Sequence, residues 1–256
     1  MRAAQQREQV VAREFGAGEE VSRQAREDSA VVRILTWNLF HGRAVPDRPR
    51  PLGSAFAERL RTWEWDAALL QEVPPWWPPH LAAACDAQGF TARTSRNQVL
   101  PLARIFAARR PDVVKSWGGG SNAILVRGHG VTAHARLRLR LRPERRVVHA
   151  VRRDDGLWIA NLHASAYDRA EAQVDITRAA GAVRGWAGDE PAIFGGDMNT
   201  RRPQVPGFAH AGGHVIDHVF GRGYVVAAPV QTLDGGGLSD HAPVLATLRL
   251  VRARAS

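Results

Sequence analysis

Five short segments of this 256-residue chain each end an apolar run with a carboxylate, an amide or an imidazole: Thr36-Trp37-Asn38, Leu70-Gln71-Glu72, Asn161-Leu162-His163, Gly195-Gly196-Asp197-Met198-Asn199 and Ser239-Asp240-His241. An Ile-, Leu- and Val-rich strand favours burial, and a polar cluster at its carboxyl end is costly unless it serves a site. Several strands ending this way predict one shared pocket at the strand ends, where α/β proteins usually bind ligands. The residue types suggest the chemistry. Glu72, Asp197 and Asp240 are hard carboxylates with Asn38 and Asn199 as amide neighbours, and such oxygen donors suit Mg²⁺, Mn²⁺ or Ca²⁺. Zinc would ask for several His or Cys ligands, and no cysteine accompanies these segments. A hard cation beside His163 and His241 suits hydrolysis of a phosphate ester. The metal would neutralise charge on phosphoryl and leaving oxygens while a carboxylate or a His–Asp pair activates water. Each segment alone also has a plain structural reading: Asn38 in a turn, Glu72 at a solvated strand end, His163 as a structural histidine, Gly196-Asp197 as a turn, Ser239-Asp240 as a cap. Their joint occurrence is what points to a site.

The elements that must position these groups follow from hydrophobic periodicity. Residues 31–35 and 67–70 read as buried strands, and 55–63 as a helix with Phe56, Leu60 and Trp63 on one face. Pro78-Pro79 opens a helix expected to run through Ala87 and stop at Gly89. Residues 95–120 are irregular and arginine-rich, and 123–126 is a strand. Leu137, Leu139 and Leu141 alternate with Arg138, Arg140 and Arg142, which predicts a strand with leucines inward and arginines outward. Residues 147–151 and 157–161 flank the hairpin signal Asp154-Asp155-Gly156. Residues 169–186 read as a helix with Val174, Ala180 and Val183 inward; strands at 191–194, 215–220, 224–228 and 244–250 follow. Strands outnumber helices and mix hairpins with helical crossovers, which predicts an α/β protein of mixed sheets covered by helices.

Composition bounds the rest. Hydrophobic residues make up 45% and charged residues 23%, enough for a full core in one large domain. Residues 1–30 read as a charged tail or appended helix without the apolar stretch of a signal peptide. No apolar run approaches the roughly 18 residues of a membrane span. The expectation is a cytoplasmic monomer, not an integral membrane protein, with no stable protein partner. The lone cysteine, Cys85, excludes an intramolecular disulfide and reads as a small core residue. A net charge of +10 suits a polyanionic partner such as nucleic acid. All but Lys115 of the 35 basic residues are arginine, spread widely, so the charge also reflects a compositional bias.

The ordered set of segments resembles the endonuclease/exonuclease/phosphatase superfamily. To the five segments are added Ser121-Asn122-Ala123-Ile124-Leu125, Ile216-Asp217-His218-Val219 and the continuation Ala242-Pro243-Val244, so the resemblance spans residues 35 to 244. It implies a DNase-I-like fold, a four-layer sandwich of two packed mixed β-sheets flanked by helices, with residues 31–256 as the catalytic domain. It also implies roles. Glu72 is the principal metal ligand, Asn38 sits beside the metal, and Asp240 ligates it or a second ion, the cofactor being Mg²⁺ or Mn²⁺. Asp197 and Asn199 face the scissile phosphate, and His163 donates to it. His241, oriented by Asp217, is the acid/base or phosphate-contacting imidazole. His218 next to Asp217 reads as structural or surface-exposed. His41, His129, His134, His149, His210 and His214 lack a motif context and carry no expected catalytic role. The implied activity is metal-dependent phosphodiester hydrolysis of the nuclease type. The alternatives are the same chemistry on a lipid headgroup, inositol phosphate or other small phosphoester, and a non-catalytic binding protein of the same fold. Abasic-site endonucleases of the exonuclease III type carry a tyrosine where this chain has His163, which favours the DNase, phospholipase and phosphatase branches.

Overall fold

The structure, a computed structural model, describes residues 31–48, 52–94 and 120–251. The expected tail at 1–30 and nearly all of the arginine-rich stretch at 95–120 lie outside the described residues. One sheet contains β1 (Val31–Asn38), β2 (Ala67–Val73), β3 (Gln88–Arg93), β4 (Ser121–Val126), β11 (Tyr224–Thr232) and β12 (Val244–Leu250), in the order β11-β12-β1-β2-β4-β3. The other contains β5 (Val131–Arg140), β6 (Arg146–Arg153), β7 (Trp158–His163), β8 (Ala192–Asp197), β9 (Ala209–His214) and β10 (Asp217–Arg222), in the order β5-β6-β7-β8-β10-β9. Each sheet is mixed: β1/β2 and β7/β8 run parallel, and their other neighbours antiparallel. The sheets pack face to face through Ile34, Leu69 and Ile124 on one side and Val151, Ile159, Ile193 and Val219 on the other. Helices α1 (Gly53–Thr62) and α2 (Pro78–Ala84) cover the first sheet, setting Phe56, Leu60 and Leu81 on Leu35, Trp37 and Leu70. Helix α3 (Arg169–Ala187) covers the second with Ile176, Ala180 and Val183 on Val148, Ala160 and Phe194. The result is the expected four-layer sandwich. Central strands lose both faces to burial, which is why they read as continuous apolar runs. Cys85 is buried in the core.

Four expectations are corrected. Helix α2 ends at Ala84, and Gly89 lies inside β3, where an added Cβ would meet the Ala82 Cβ at 3.0 Å; the glycine admits a close helix rather than stopping one. Of the three alternating leucines only Leu139 is buried, while Leu137 and Leu141 are 39% and 50% exposed. The β5/β6 register shifts between Arg138 and Arg140, so a bulge breaks the period, and Arg140 turns inward to Asp175, Nε to Oδ1 at 3.0 Å. Val174 is 53% exposed. The buried stripe of α3 runs through Ala172, Ile176, Ala179, Val183 and Ala187, and a residue two positions from both Ala172 and Ile176 falls on the opposite side at 100° per residue. Finally, the strand expected at 215–220 begins at Asp217. Val215 and Ile216 form the turn from β9, with Val215 at φ +52°. His218, expected to be structural or surface-exposed, is buried, its Nδ1 lying 3.1 Å from His210 Nε2.

Candidate active site

Register alone brings three of the expected residues together. In the parallel β7/β8 pair His163 lies opposite Asp197, and in the antiparallel β8/β10 pair Asp217 lies opposite the same Asp197. Gly196 permits this approach. At φ +134° a Cβ there would sit 1.9 Å from the Leu162 carbonyl oxygen. In the first sheet Asn38 ends β1 beside Gln71 of β2, which places Glu72 at the same strand ends.

A buried amide pair ties the two sheets. Gln71 Nε2 donates to Asn161 Oδ1 at 2.8 Å, and Asn161 Nδ2 donates to the Leu70 and Ala123 carbonyls, each at 2.9 Å. Both residues stand in the motif segments, yet sequence reasoning gave them no role. Their signal was a polar amide in an otherwise apolar strand, next to Glu72 and two residues before His163. Across this tie the groups converge. Asp197 Oδ2 accepts from Asn38 Nδ2 at 3.0 Å and lies 3.5 Å from His163 Nε2 and 3.9 Å from His241 Nε2. Asp197 Oδ1 accepts the Asn199 backbone N–H at 2.9 Å. Glu72 Oε1 lies 3.9 Å from His163 Nε2, and Glu72 Oε2 lies 3.1 Å from His41 Nε2. His241 Nδ1 meets Asp217 Oδ2 at 2.7 Å. Ser239 Oγ donates to the Asn38 carbonyl at 2.6 Å and accepts the His241 backbone N–H at 3.1 Å, fixing that loop on β1.

The remaining expected residues sit at the margin. Asn199 Nδ2 is tied back to the Ala164 carbonyl at 3.0 Å. Asp240 is exposed, 3.5 Å from Ser239 Oγ, and its charge bears on Asp217 and His241. It therefore stands on the His241 side of the site. His41, given no role from sequence, stands beside Glu72. Arg146 is a further omission: it is buried at the start of β6, and its charge bears on His163 and Asp197. Of seven non-glycine residues with positive φ among the described residues, five are here: Phe40, His41, Glu72, Asn199 and Ser239. Such backbone strain concentrates at functional sites.

Burial and charge set the protonation states. Burial pushes the Asp197 carboxyl above its usual range, opposed by the His241 charge and the Asn38 hydrogen bond. Burial, reinforced by the positive charge of Arg146, holds His163 well below its ordinary value and keeps it neutral. Asp217 is raised to about 6, mainly by burial. Burial alone would lower His241, but the hydrogen bond and charge of Asp217, with the charges of Asp197 and Asp240, raise it to about 9. The donor set fits a hard divalent cation. The Glu72 carboxylate is partly open to solvent, buried carboxylates stand behind it, and Asp217 Oδ1 is buried with no hydrogen-bond partner. Asp197, Asp217 and His241 offer donor atoms all within 4.8 Å of one another.

Fold and site together define an α/β sandwich with a carboxylate–imidazole cluster at the strand ends. The sequence model of the Endonuclease/Exonuclease/phosphatase family matches residues 35–241, and the chain belongs to that family of phosphoester hydrolases. Among solved structures, the fold is similar to an endonuclease/exonuclease/phosphatase from Beutenbergia cavernae, with a TM-score of 0.61 and 19% identity over 86% of this chain and 72% of that one. It is similar to a humanized D. rerio TDP2, TM-score 0.64 and 14% identity over 86% and 99% of the two chains. TDP2 from Caenorhabditis elegans gives 0.58 and 17% over 86% and 74%. A comparison with curated proteins returned no match. No helix among the described residues is long and apolar enough to cross a membrane.

Proposed function

We propose that this chain hydrolyses a phosphodiester bond with a bound divalent cation, Mg²⁺ or Mn²⁺, and acts as a nuclease. The observation that carries this reading is the meeting of Glu72, His163, Asp197 and the Asp217–His241 pair, drawn from both sheets, with neighbouring polar atoms 2.7 to 3.9 Å apart. Glu72, with Asn38 beside it and Asp240 toward the rim, would hold the cation, which when bound supplies charge neutralisation at the phosphoryl and leaving oxygens. His163, kept neutral by burial, donates a hydrogen bond to a phosphoryl oxygen without giving up its proton. Asp197, made more basic by burial and fixed by Asn38 and the Asn199 N–H, orients the water and takes its proton. Asn199 lines the phosphate side of Asp197. His241, held as the imidazolium by Asp217, gives its Nε2 proton to the leaving oxygen. One proton enters at Asp197 and one leaves at His241, so the pair resets by exchange with solvent.

The charge of +10 favours a nucleic-acid substrate. A lipid headgroup or other small phosphoester is the second reading, supported by His163 standing where the abasic-site branch has tyrosine. The test is hydrolysis of bis-p-nitrophenyl phosphate with Mg²⁺ or Mn²⁺ against EDTA. Plasmid DNA, RNA, sphingomyelin and inositol phosphates are then compared side by side. Metal-dependent turnover with DNA or RNA preferred supports the nuclease reading, and preference for a small phosphoester transfers it to the second. Inactivity across metals and substrates overturns both in favour of a binding protein.

A further inference from the structure

We propose that His41 is a metal ligand, its Nε2 sharing with Glu72 Oε2 the cation of this site and shifting its preference from Mg²⁺ toward divalent transition metals. This rests on the reading that Glu72 holds a cation. Phe40 and His41 occupy the left-handed region in succession, at φ 48° and 54°, a conformation that non-glycine residues rarely adopt. The surroundings hold them there. The Leu39 N–H donates to the Gln71 carbonyl at 2.8 Å, the Phe40 N–H to Asn38 Oδ1 at 2.9 Å and the Gly42 N–H to the Leu39 carbonyl at 2.8 Å. The Arg43 guanidinium stacks on the Phe40 ring at 4.0 Å. Gly42 lies so close beneath Trp77 that a Cβ would fall 2.4 Å from its ring. The turn is thus fixed from β1, β2 and the start of α2, and its product is one imidazole nitrogen 3.1 Å from the Glu72 carboxylate.

That separation suits two donors on one ion. Adjacent ligands of an octahedral cation with bonds of about 2.1 Å stand about 3 Å apart. An imidazole nitrogen is a poor donor to Mg²⁺, which favours oxygen and water, and a good one to first-row transition ions. With His163 3.9 Å away on the other Glu72 oxygen, the carboxylate lies between two imidazoles, and His41 is the nearer.

The experiment loads the full chain with Mn²⁺ and records electron spin-echo modulation from ¹⁴N. Mn²⁺ and Mg²⁺ affinities are measured by calorimetry on the wild type and on His41→Asn. Asparagine tolerates positive φ, so the turn is retained, and an unchanged melting temperature checks this. The expected result is imidazole ¹⁴N modulation in the wild type that disappears in His41→Asn, with Mn²⁺ affinity falling about tenfold or more and Mg²⁺ affinity changing less than about twofold. Mn²⁺ bound without ¹⁴N modulation in the wild type, or modulation and affinity unchanged in His41→Asn, overturns the inference alone. Failure of the wild type to bind either ion overturns it together with the metal-dependent function.

Discussion

His129, Asp154 and Asp155 stand in the turns that follow β4 and β6, while Asp197, Asp217 and His241 stand at the opposite end of the second sheet; each trio brings its donor atoms within 4.8 Å. In the first trio both imidazole nitrogens are committed: Nδ1 to Asp154 Oδ1 at 3.0 Å and Nε2 to Arg153 Nη2 at 2.6 Å, with Arg153 Nε on Asp155 Oδ1 at 3.1 Å. Asp154 and Asp155 are exposed, and both are held below the usual carboxylate range, Asp154 chiefly by the His129 hydrogen bond and Asp155 by Arg153 against the effect of burial. In the second trio the carboxylates are buried and Asp217 moves up instead, to about 6. His241 spends only Nδ1 on its partner, leaving Nε2 at 3.9 Å from Asp197. Space is not the difference, since a cavity of about 460 Å³ opens beside His129, lined also by Asp86 and Gln88. Residue types of one kind make a closed ion-pair cluster where each donor is matched. Where burial raises proton affinity and one nitrogen is left unspent, the same types make an open, unmatched donor group.

That comparison breaks if the two imidazoles prove equivalent. His241→Ala should lower kcat on bis-p-nitrophenyl phosphate by about 10²–10⁴-fold, while His129→Ala leaves it at the wild-type level; equal losses would erase the distinction. Asp217→Asn sharpens it. Ring titration followed by NMR should show His241 losing its proton near pH 9 in the wild type and at a distinctly lower pH in the variant, where the Asp217 hydrogen bond and charge are gone. Because the folded-state value of His241 is the raised one, the stability its imidazolium contributes is complete below pH 6.5 and fades as pH rises through 9. The unfolding free-energy gap between wild type and Asp217→Asn should therefore close over that window. The cross-sheet amide beneath the second trio gives a smaller effect. Gln71→Leu should lower stability by about 1–3 kcal/mol in urea unfolding, since Asn161 Oδ1 loses its donor in a buried place. Adding Asn161→Leu should cost less than the sum of the single changes, and strict additivity would show that the two amides are not coupled. The smallest effect belongs to the first trio, where His129→Ala should change stability by less than about 1 kcal/mol, as partly exposed ion pairs do.

The legible part of this molecule was what repeats along a strand or helix. Asn38, Glu72, His163, Asp197 and His241 announced themselves as polar ends of apolar runs, and α1 showed its buried face through Phe56 and Leu60. The illegible part depended on neighbours. Strand β9, Ala-His-Ala-Gly-Gly-His, has no β-branched residue and exists because β10 offers it a ladder. Leu137 stands just before a register shift in β5, and Leu141 lies past the end of that strand, so neither keeps the inward period. His41 carried no motif, and only the strained turn after β1, pressed against Trp77, turns it onto Glu72.

The sequence by itself determined which groups are available and on which strand ends they stand, because a buried strand tolerates a carboxylate only where something uses it. The tertiary structure alone decided how those groups behave. Proton affinity and donor spacing depend on burial and on partners far along the chain: Asp197 meets Asn38, His241 meets Asp217, and Gln71 meets Asn161 across the sheets. Local sequence carries no record of such distances, since they are set by the packing of one sheet on the other.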